Sequence, residues 1–398
     1  MKIVAAEGTH KKIGFELGRK LAEEIRYNIS VQEQYVIAGG IEDRDINNYV
    51  ESYVGFSDAS SLKLMEGLSS GSNIPLKSIL RFNALQDVLC PEECTTFAAV
   101  GNATSNGKAV LLKNRDTHGN YNFVGSRYFE HRAINVILAL KTENGNVIVG
   151  VSTAGSTGLM MGLNKYGVAS ASNFGHILEI SHLSSDQLHG ISGRPQMMRE
   201  ALECSSAKEA VDLTLSKLTL TESPMKAPGI LWFVDAGNIY VIESAFKQFA
   251  VQHITDGTAS RSNHFLLLDQ LNNEQAVSSI CRKIRSEELL KKSLGSINRE
   301  EMIEFSMDHK NGPSENSICR HSKDPNEAVT VSSAIMEIDS ENAQKSKISI
   351  ALGSPCWAWN NENGNCTFQM DQDISSIPQN FVDGSAYKEF IKTEAFQR

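Results

Sequence analysis

The sequence has no block of Lys or Arg. Its 38 basic residues are scattered among 47 acidic ones, for a formal charge of −9. A phosphate backbone is held by clustered cations, so this distribution argues against a nucleic-acid partner. No apolar run approaches the roughly 20 residues of a membrane-spanning helix; stretches such as AINVILAL (133–140) are far too short. The start, MKIVAAEGTHKKIGFELG, lacks a secretory apolar core, and the end, EAFQR, lacks a prenylation or peroxisomal signal. The expectation is a cytoplasmic protein without membrane contact. Cysteines are few and scattered (Cys90, Cys94, Cys204, Cys281, Cys319, Cys356, Cys366), and none forms a CxxC pair. That pattern indicates reduced thiols, with neither a disulfide framework nor a zinc site. GxGxxG, Walker A and internal repeats are also absent, so no cofactor and no metal are expected.

What is present reads as groups of helices alternating with groups of strands. Residues 10–38 carry Ile13, Leu17, Leu21, Ile25 and Ile29 at helical spacing, with Gly14 and Gly18 positioned for a close helix contact. The first 90 residues read mostly as helix. Short β-branched runs follow at 95–101, 108–113, 132–141, 146–153, 158–163 and 167–172, separated by turn signals such as SNGK, ENGN and NKYG. Helix returns over 195–218 and 271–307, with three strands between them and a last β meander from AVTVSSAIMEID to KISIALGSPC. The tail after Pro355 reads as a surface wrap, and Trp357 and Trp359 alternate as on a strand. Grouped strands and grouped helices predict an α+β fold with two sheets packed face to face under helix layers.

Cys94 stands out. It follows the charged, Pro-bearing PEE, which argues against deep core, and it opens the strand CTTFAAV. The hairpin that turns at NATSNGK brings Asp116 back roughly opposite it. This setting suits a cysteine that becomes a chain terminus. Cleavage between Glu93 and Cys94 would free an α-amino group of pKa about 7.7–8.0, a suitable general base on the same residue as the thiol.

These residues resemble the isopenicillin N acyltransferase family, which includes the Tan-like β-alanyl-amine hydrolases, within the N-terminal-nucleophile (Ntn) cysteine hydrolases. ECTTFAAVGN with KNRD resembles the processing site. EGTHKKIGFELG, GLNKYGVASASNFG, RSNHF, NSICRH and IALGSPC follow in family order. The resemblance implies a four-layer αββα sandwich of two mixed or antiparallel sheets flanked by helices. It also implies a small fragment 1–93 and a large fragment 94–398, together one structural domain.

Carried over residue by residue, Cys94 is nucleophile and base, Asp116 holds its amine, and Asn263 supplies the oxyanion-hole amide. Asn173, Thr95, Arg320 and Lys113 are expected at the oxyanion or substrate. Two positions depart from the family pattern: Glu93 stands where glycine is usual, and Lys113 where some relatives have arginine. The implied reaction is hydrolysis of a small acyl amide, an N-acyl amine or N-acyl amino acid, through an acyl-cysteine. Acyl transfer from an acyl thioester such as an acyl-CoA is the alternative. The two fragments would stay associated, and a homo-oligomer is left open. Two further readings compete: a Cys-His peptidase using His264 or His321, and a scaffold that never matures because of Glu93. His264 otherwise reads as structural, and Asp308–His309 as a helix-end pair, since no HxxxH or HxH pattern accompanies it.

Overall fold

The computed structural model describes residues 2–38, 42–89, 93–118, 134–176, 193–219, 225–246, 248–272, 276–322 and 328–377. The N-terminal part forms β1 (Lys2–Gly8), α1 (His10–Lys20), α2 (Ala22–Ala38), α3 (Asp43–Phe56), α4 (Ala59–Ser72) and α5 (Leu76–Leu89). Then come β2 (Glu93–Val100), β3 (Ala109–His118), β4 (Asn135–Thr142), β5 (Val147–Thr153), β6 (Met161–Asn164), β7 (Ala169–Phe174), α6 (Arg194–Ala201) and α7 (Ala207–Thr219). The remainder forms β8 (Met225–Asp235), β9 (Asn238–Phe246), β10 (Gln248–Ile254), β11 (Gly257–Arg261), α8 (Val277–Lys292), α9 (Arg299–Ser306), β12 (Ala328–Ile338), β13 (Lys347–Leu352), α10 (Pro355–Ala358) and β14 (Asn365–Gln369).

The strands make two sheets, in the orders β1-β4-β5-β6-β7-β8-β9-β10 and β11-β2-β3-β12-β13-β14. The β1–β4 pair is parallel; the other pairs are antiparallel. Alternation along each strand splits the core into layers. Ala98, Leu111 and Met336 of the six-stranded sheet meet Val149, Leu163 and Trp232 of the eight-stranded sheet. The outer face of the large sheet packs on α1–α7 through residues such as Leu17, Met65, Leu138 and Met198. The outer face of the small sheet packs Phe97, Leu112 and Ile335 on Leu289 and Leu290 of α8 and on Met302 and Phe305 of α9. The α+β, four-layer αββα architecture expected from the sequence is the one observed.

The glycine spacing has a reciprocal explanation. A Cβ on Gly14 would stand 2.1 Å from Leu64 O, and one on Gly18 2.5 Å from Leu68 O. On the facing helix, Gly67 and Gly71 meet Lys11 O and Phe15 O at 2.2 and 2.0 Å. Helices α1 and α4 therefore touch backbone to backbone, with no room for a side chain between them.

Three expectations change. The first 90 residues include β1, an edge strand of the large sheet. Helix 195–218 breaks into α6 and α7. The stretch after Pro355 is not only a surface wrap: β14 extends the small sheet, and Trp357 lies in the single-turn α10 with Trp359 as its C-cap, so neither is on a strand. The proline at the first helical position fixes the φ that starts this turn. Residues 378–398 lie outside the described residues.

Candidate active site

Phe97 and Ala99 point towards α8 and α9, whereas Ala98 and Val100 point between the sheets. By the same alternation Glu93 and Thr95 face the α8 side, and Cys94 and Thr96 face the large sheet. The β2–β3 register pairs Glu93 with Asp116 and Cys94 with Arg115. The expected Cys94–Asp116 opposition is thus displaced by one residue, which puts Asp116 on the same face as the Glu93 side chain. A second expectation also fails: PEE does not keep this segment out of the core. Cys94 is fully buried and Glu93 is 8% exposed.

The carboxylate of Glu93 is buried because two buried arginines share it. Arg282 Nη2 donates to Glu93 Oε2 (3.2 Å) and Asn263 Oδ1 (2.9 Å), and its Nη1 donates to Cys94 O (2.7 Å) and Thr95 Oγ1 (2.9 Å). Arg320 Nη1 donates to the same Glu93 oxygen. Asp116 Oδ2 lies 3.6 Å from Arg320 Nη1 and 3.8 Å from Arg282 Nη1. Asp116 Oδ1 accepts from Thr330 Oγ1 (2.7 Å), which in turn accepts from Arg320 N (2.8 Å). Two guanidinium groups thus face two carboxyl groups in a buried site.

Burial raises the Asp116 pKa although Arg320 and Arg282 pull it down. Burial and the neighbouring Arg320 lower that of Arg282. For Arg320 burial works against the charge, but Glu93 and Asp116 outweigh it and the pKa is raised. His176 Nε2 stands 3.4 Å from Glu93 Oε1. A cavity of about 190 Å³ opens here, lined by Glu93, His176, Ser278, Ser279, Glu315 and Arg320 among others.

Asn263 follows β11 and touches the nucleophile candidate directly. Its Oδ1 accepts from Cys94 N (3.1 Å), and its Nδ2 donates to Phe174 O (2.8 Å). Since Arg282 and the Cys94 amide can only donate, the orientation of this side-chain amide follows from its neighbours. Ser279, buried in the first turn of α8, accepts from Asn263 N (2.7 Å) and His264 N (2.9 Å). Asn173 stitches the sheets together. Its Nδ2 donates to Ser262 O (2.9 Å) and its Oδ1 accepts from Thr96 Oγ1 (2.7 Å) and Trp232 Nε1 (3.2 Å).

The structure therefore brings Glu93, Cys94, Thr95, Asp116, Asn263 and Arg320 together, with Asn173 one layer away. Lys113 is different. It lies on the opposite face of β3 from Asp116, and its Nζ donates to Met160 O (3.1 Å). The arginine across from Cys94 is Arg115, whose Nη1 donates to Asn135 Oδ1 (3.2 Å) in the large sheet. Sequence reasoning missed Arg115, Ser279, Arg282 and Thr330. Of these, Arg115 was readable as the residue beside Asp116 in the hairpin.

The competing histidines have other surroundings. His264 Nδ1 is 2.8 Å from Ser279 Oγ, and burial, with Lys283 and Arg282 nearby, lowers its pKa to about 4. His321 Nε2 is 3.0 Å from His309 Nε2 and close to two cysteine thiols. Asp308, read with His309 as a helix-end pair, is gripped by Arg285 at 2.6–3.1 Å. Among the described residues no helix is long and apolar enough to cross a membrane.

The model of the family described as acyl-coenzyme A:6-aminopenicillanic acid acyl-transferase matches residues 103–356, a span that begins downstream of Cys94 and includes Asp116, Asn263, Arg282 and Arg320. No curated protein matches the chain. Similar solved structures include a Caenorhabditis elegans ortholog of N-acylethanolamine-hydrolyzing acid amidase (16% identity, 61% of this chain and 92% of that one, TM-score 0.42). A mutant conjugated bile acid hydrolase from Clostridium perfringens aligns at 12% identity over 73% of this chain and 96% of that one, with a TM-score of 0.44. Penicillin V acylase from Agrobacterium tumefaciens aligns at 13% identity over 65% and 83%, with a TM-score of 0.37.

Proposed function

Since this chain belongs to the acyl-coenzyme A:6-aminopenicillanic acid acyl-transferase family, we propose that it is a self-processing cysteine enzyme that cleaves a small acyl amide. The observation that carries this reading is the setting of the Glu93–Cys94 bond. Cys94 N is held by Asn263, Cys94 O by Arg282, and the carboxylate before the bond by Arg282 and Arg320.

In maturation the Cys94 thiol attacks the Glu93 carbonyl carbon. The C–N bond breaks, the amine takes the thiol proton, and a thioester joins Glu93 to Sγ. Water then hydrolyses the thioester, leaving a Glu93 carboxylate and a free Cys94 thiol. In turnover the neutral Cys94 amine accepts the thiol proton and passes it to the leaving amine of the substrate. One N–H of Asn263 Nδ2 goes to Phe174 O; the second serves the oxyanion, a contribution of about 10²–10³ in rate. Asp116 holds the protonated amine, Asn173 keeps the Asn263 loop and Cys94 in place, and Thr95 steadies Arg282.

Charge favours a substrate with a carboxylate. In the intact chain Arg282 and Arg320 are formally balanced by Glu93 and Asp116. Once the Glu93 segment leaves, the two arginines lose their shared carboxylate and keep Asp116 and, 4.0 Å from Arg320, the more exposed Glu315, so the buried site becomes more positive, a costly situation. A Cys94 thiolate or a substrate carboxylate restores the balance, so an N-acyl amino acid suits the site better than an uncharged N-acyl amine. Acyl transfer is the second reading, favoured by the description of the matching family. It uses the same acyl-cysteine, formed from an acyl thioester and resolved by an amine.

The test is mass spectrometry of the purified protein followed by a substrate panel. The reading expects fragments 1–93 and 94–398, Cys94 at the new N-terminus, and turnover of N-acyl amino acids. An intact, inactive chain would overturn it, and turnover only of acyl thioesters with an amine acceptor would select the second reading.

A further inference from the structure

Behind the active-site arginine lies a second constellation. His309, Cys319, His321 and Cys356 come from the turn after α9, the segment leading to β12, and α10. Their donor atoms all lie within 4.8 Å of one another. His321 Nε2 is 3.0 Å from His309 Nε2, 3.5 Å from Cys319 Sγ and 3.4 Å from Cys356 Sγ. Cys319 and His321 are buried, and the other two are half-buried.

Hydrogen bonding alone does not account for this geometry. One imidazole nitrogen carries either one proton or one lone pair, so it can serve one of its three neighbours. A cation at the common centre satisfies all four donors at once. Tetrahedral zinc, with Zn–S of about 2.3 Å and Zn–N of about 2.0–2.1 Å, requires ligand atoms about 3.3–3.8 Å apart. The observed separations need only small adjustments to meet that requirement. Two thiolates and two neutral imidazoles make a neutral site with a divalent ion, which suits burial, and this donor set selects zinc over the hard, oxygen-seeking cations.

The surrounding chain is braced. Arg285 grips Asp308 beside His309, and Cys319 N donates to Asp308 O (3.0 Å). Arg320 lies between two of the donors in sequence and reaches Glu93 on the other side.

We propose that His309, Cys319, His321 and Cys356 form a structural zinc site that locks the segment carrying Arg320 to α9 and α10. The ligand spacing explains why the sequence pattern hid it: the donors form no CxxC or HxxxH pair and are separated by 9, 1 and 34 residues. This site is independent of whether the chain matures or of what it hydrolyses.

The experiment is metal analysis of the full chain, purified under reducing conditions from zinc-supplemented culture. One zinc ion per chain should survive gel filtration. Replacement by cobalt(II) should give thiolate-to-metal charge-transfer bands and the strong visible absorption of a tetrahedral site. Cys319→Ser and Cys356→Ser should each abolish binding, whereas Cys366→Ser, outside the cluster, should retain it. If either cysteine variant fails to fold, His309→Gln and cobalt titration of the unmodified chain decide the matter. A metal-free chain that gives no thiolate–cobalt band, zinc retained by both cysteine variants, or a Cys319–Cys356 disulfide in freshly purified protein would each overturn the proposal.

Discussion

Glu93 lies directly opposite Asp116 in the β2–β3 ladder, and both carboxyl groups face the same two buried arginines. Removing one partner from such a group costs more than the group contributes, because it strands a buried charge; the usual loss is about 3–5 kcal/mol. In a Cys94→Ala background, which blocks cleavage, Glu93→Gln should destabilise the intact chain by about 3 kcal/mol in urea denaturation. With Cys94 present, the same change should speed appearance of the 94–398 fragment, since it raises the energy of the uncleaved state. Unchanged stability together with an unchanged cleavage rate would show that the Glu93 carboxylate does not hold the uncleaved chain together.

Asn263 and Ser279 should separate chemistry from positioning. Asn263→Ala should lower kcat about 10²–10³-fold with little change in KM. Ser279→Ala removes the shared acceptor of two backbone N–H groups. Leaving a buried donor unsatisfied costs about 1–3 kcal/mol, and kcat should fall by roughly a factor of ten with rescue by Ser279→Thr. Equal losses in kcat/KM from KM alone would point to a role in binding.

Two pH effects should be distinguishable. In the proposed mechanism the Cys94 amine must be neutral, so kcat/KM should rise with pH through a pKa of about 7.7–8.0. Stability should show a separate acid limb from His264, whose folded-state pKa is lowered to about 4 by burial and nearby cations. A lowered pKa means that the unfolded chain takes the proton first. The contribution is complete above the unfolded value of about 6.5 and is lost as pH falls from there towards 4. His264→Gln should flatten that limb in denaturation at pH 4–7 while processing and turnover persist. Loss of turnover would favour the Cys-His peptidase.

The α1–α4 contact offers a test of packing remote from the chemistry. A methyl group on Gly14 would meet a rigid helix backbone at 2.1 Å, not a movable side chain. Gly14→Ala should therefore lower stability by at least about 1–3 kcal/mol, read as a fall in the urea midpoint. Gly55→Ala, where a Cβ meets nothing within 4 Å, is the control.

The sequence was most informative where local chemistry and tertiary structure agree. The β2–β3 hairpin, the glycine pairs and the helix–strand grouping are written in turn residues and periodicity. Arg282 was hidden because α8 is built against the usual amphipathic rule. It turns Ser279, Arg282 and Ser286 inward while Val277, Ile280 and Ile284 remain exposed. An inward arginine has no periodic signature; it depends on Glu93 and Asp116 arriving from distant strands. β1 was missed because helices cover one face and the other sheet covers the second, so VAAE lacks the alternation of a half-exposed strand. The Cys319–His321 and Cys356 donors likewise come together only when the small sheet is complete.

That first strand also governs how the molecule could be rebuilt once broken. Ile3 pairs with Ile137 in the parallel β1–β4 ladder, and α1 and α4 close over the same sheet. In the uncut chain this long-range pairing is slow but unimolecular. After the proposed cleavage at Glu93–Cys94 the identical contacts would become an association between two polypeptides, and renaturation would become second order in protein concentration. The mature form would then persist because it unfolds slowly, not because it reassembles readily. Dilute denatured enzyme should recover poorly, while the Cys94→Ala chain should refold at a rate independent of concentration.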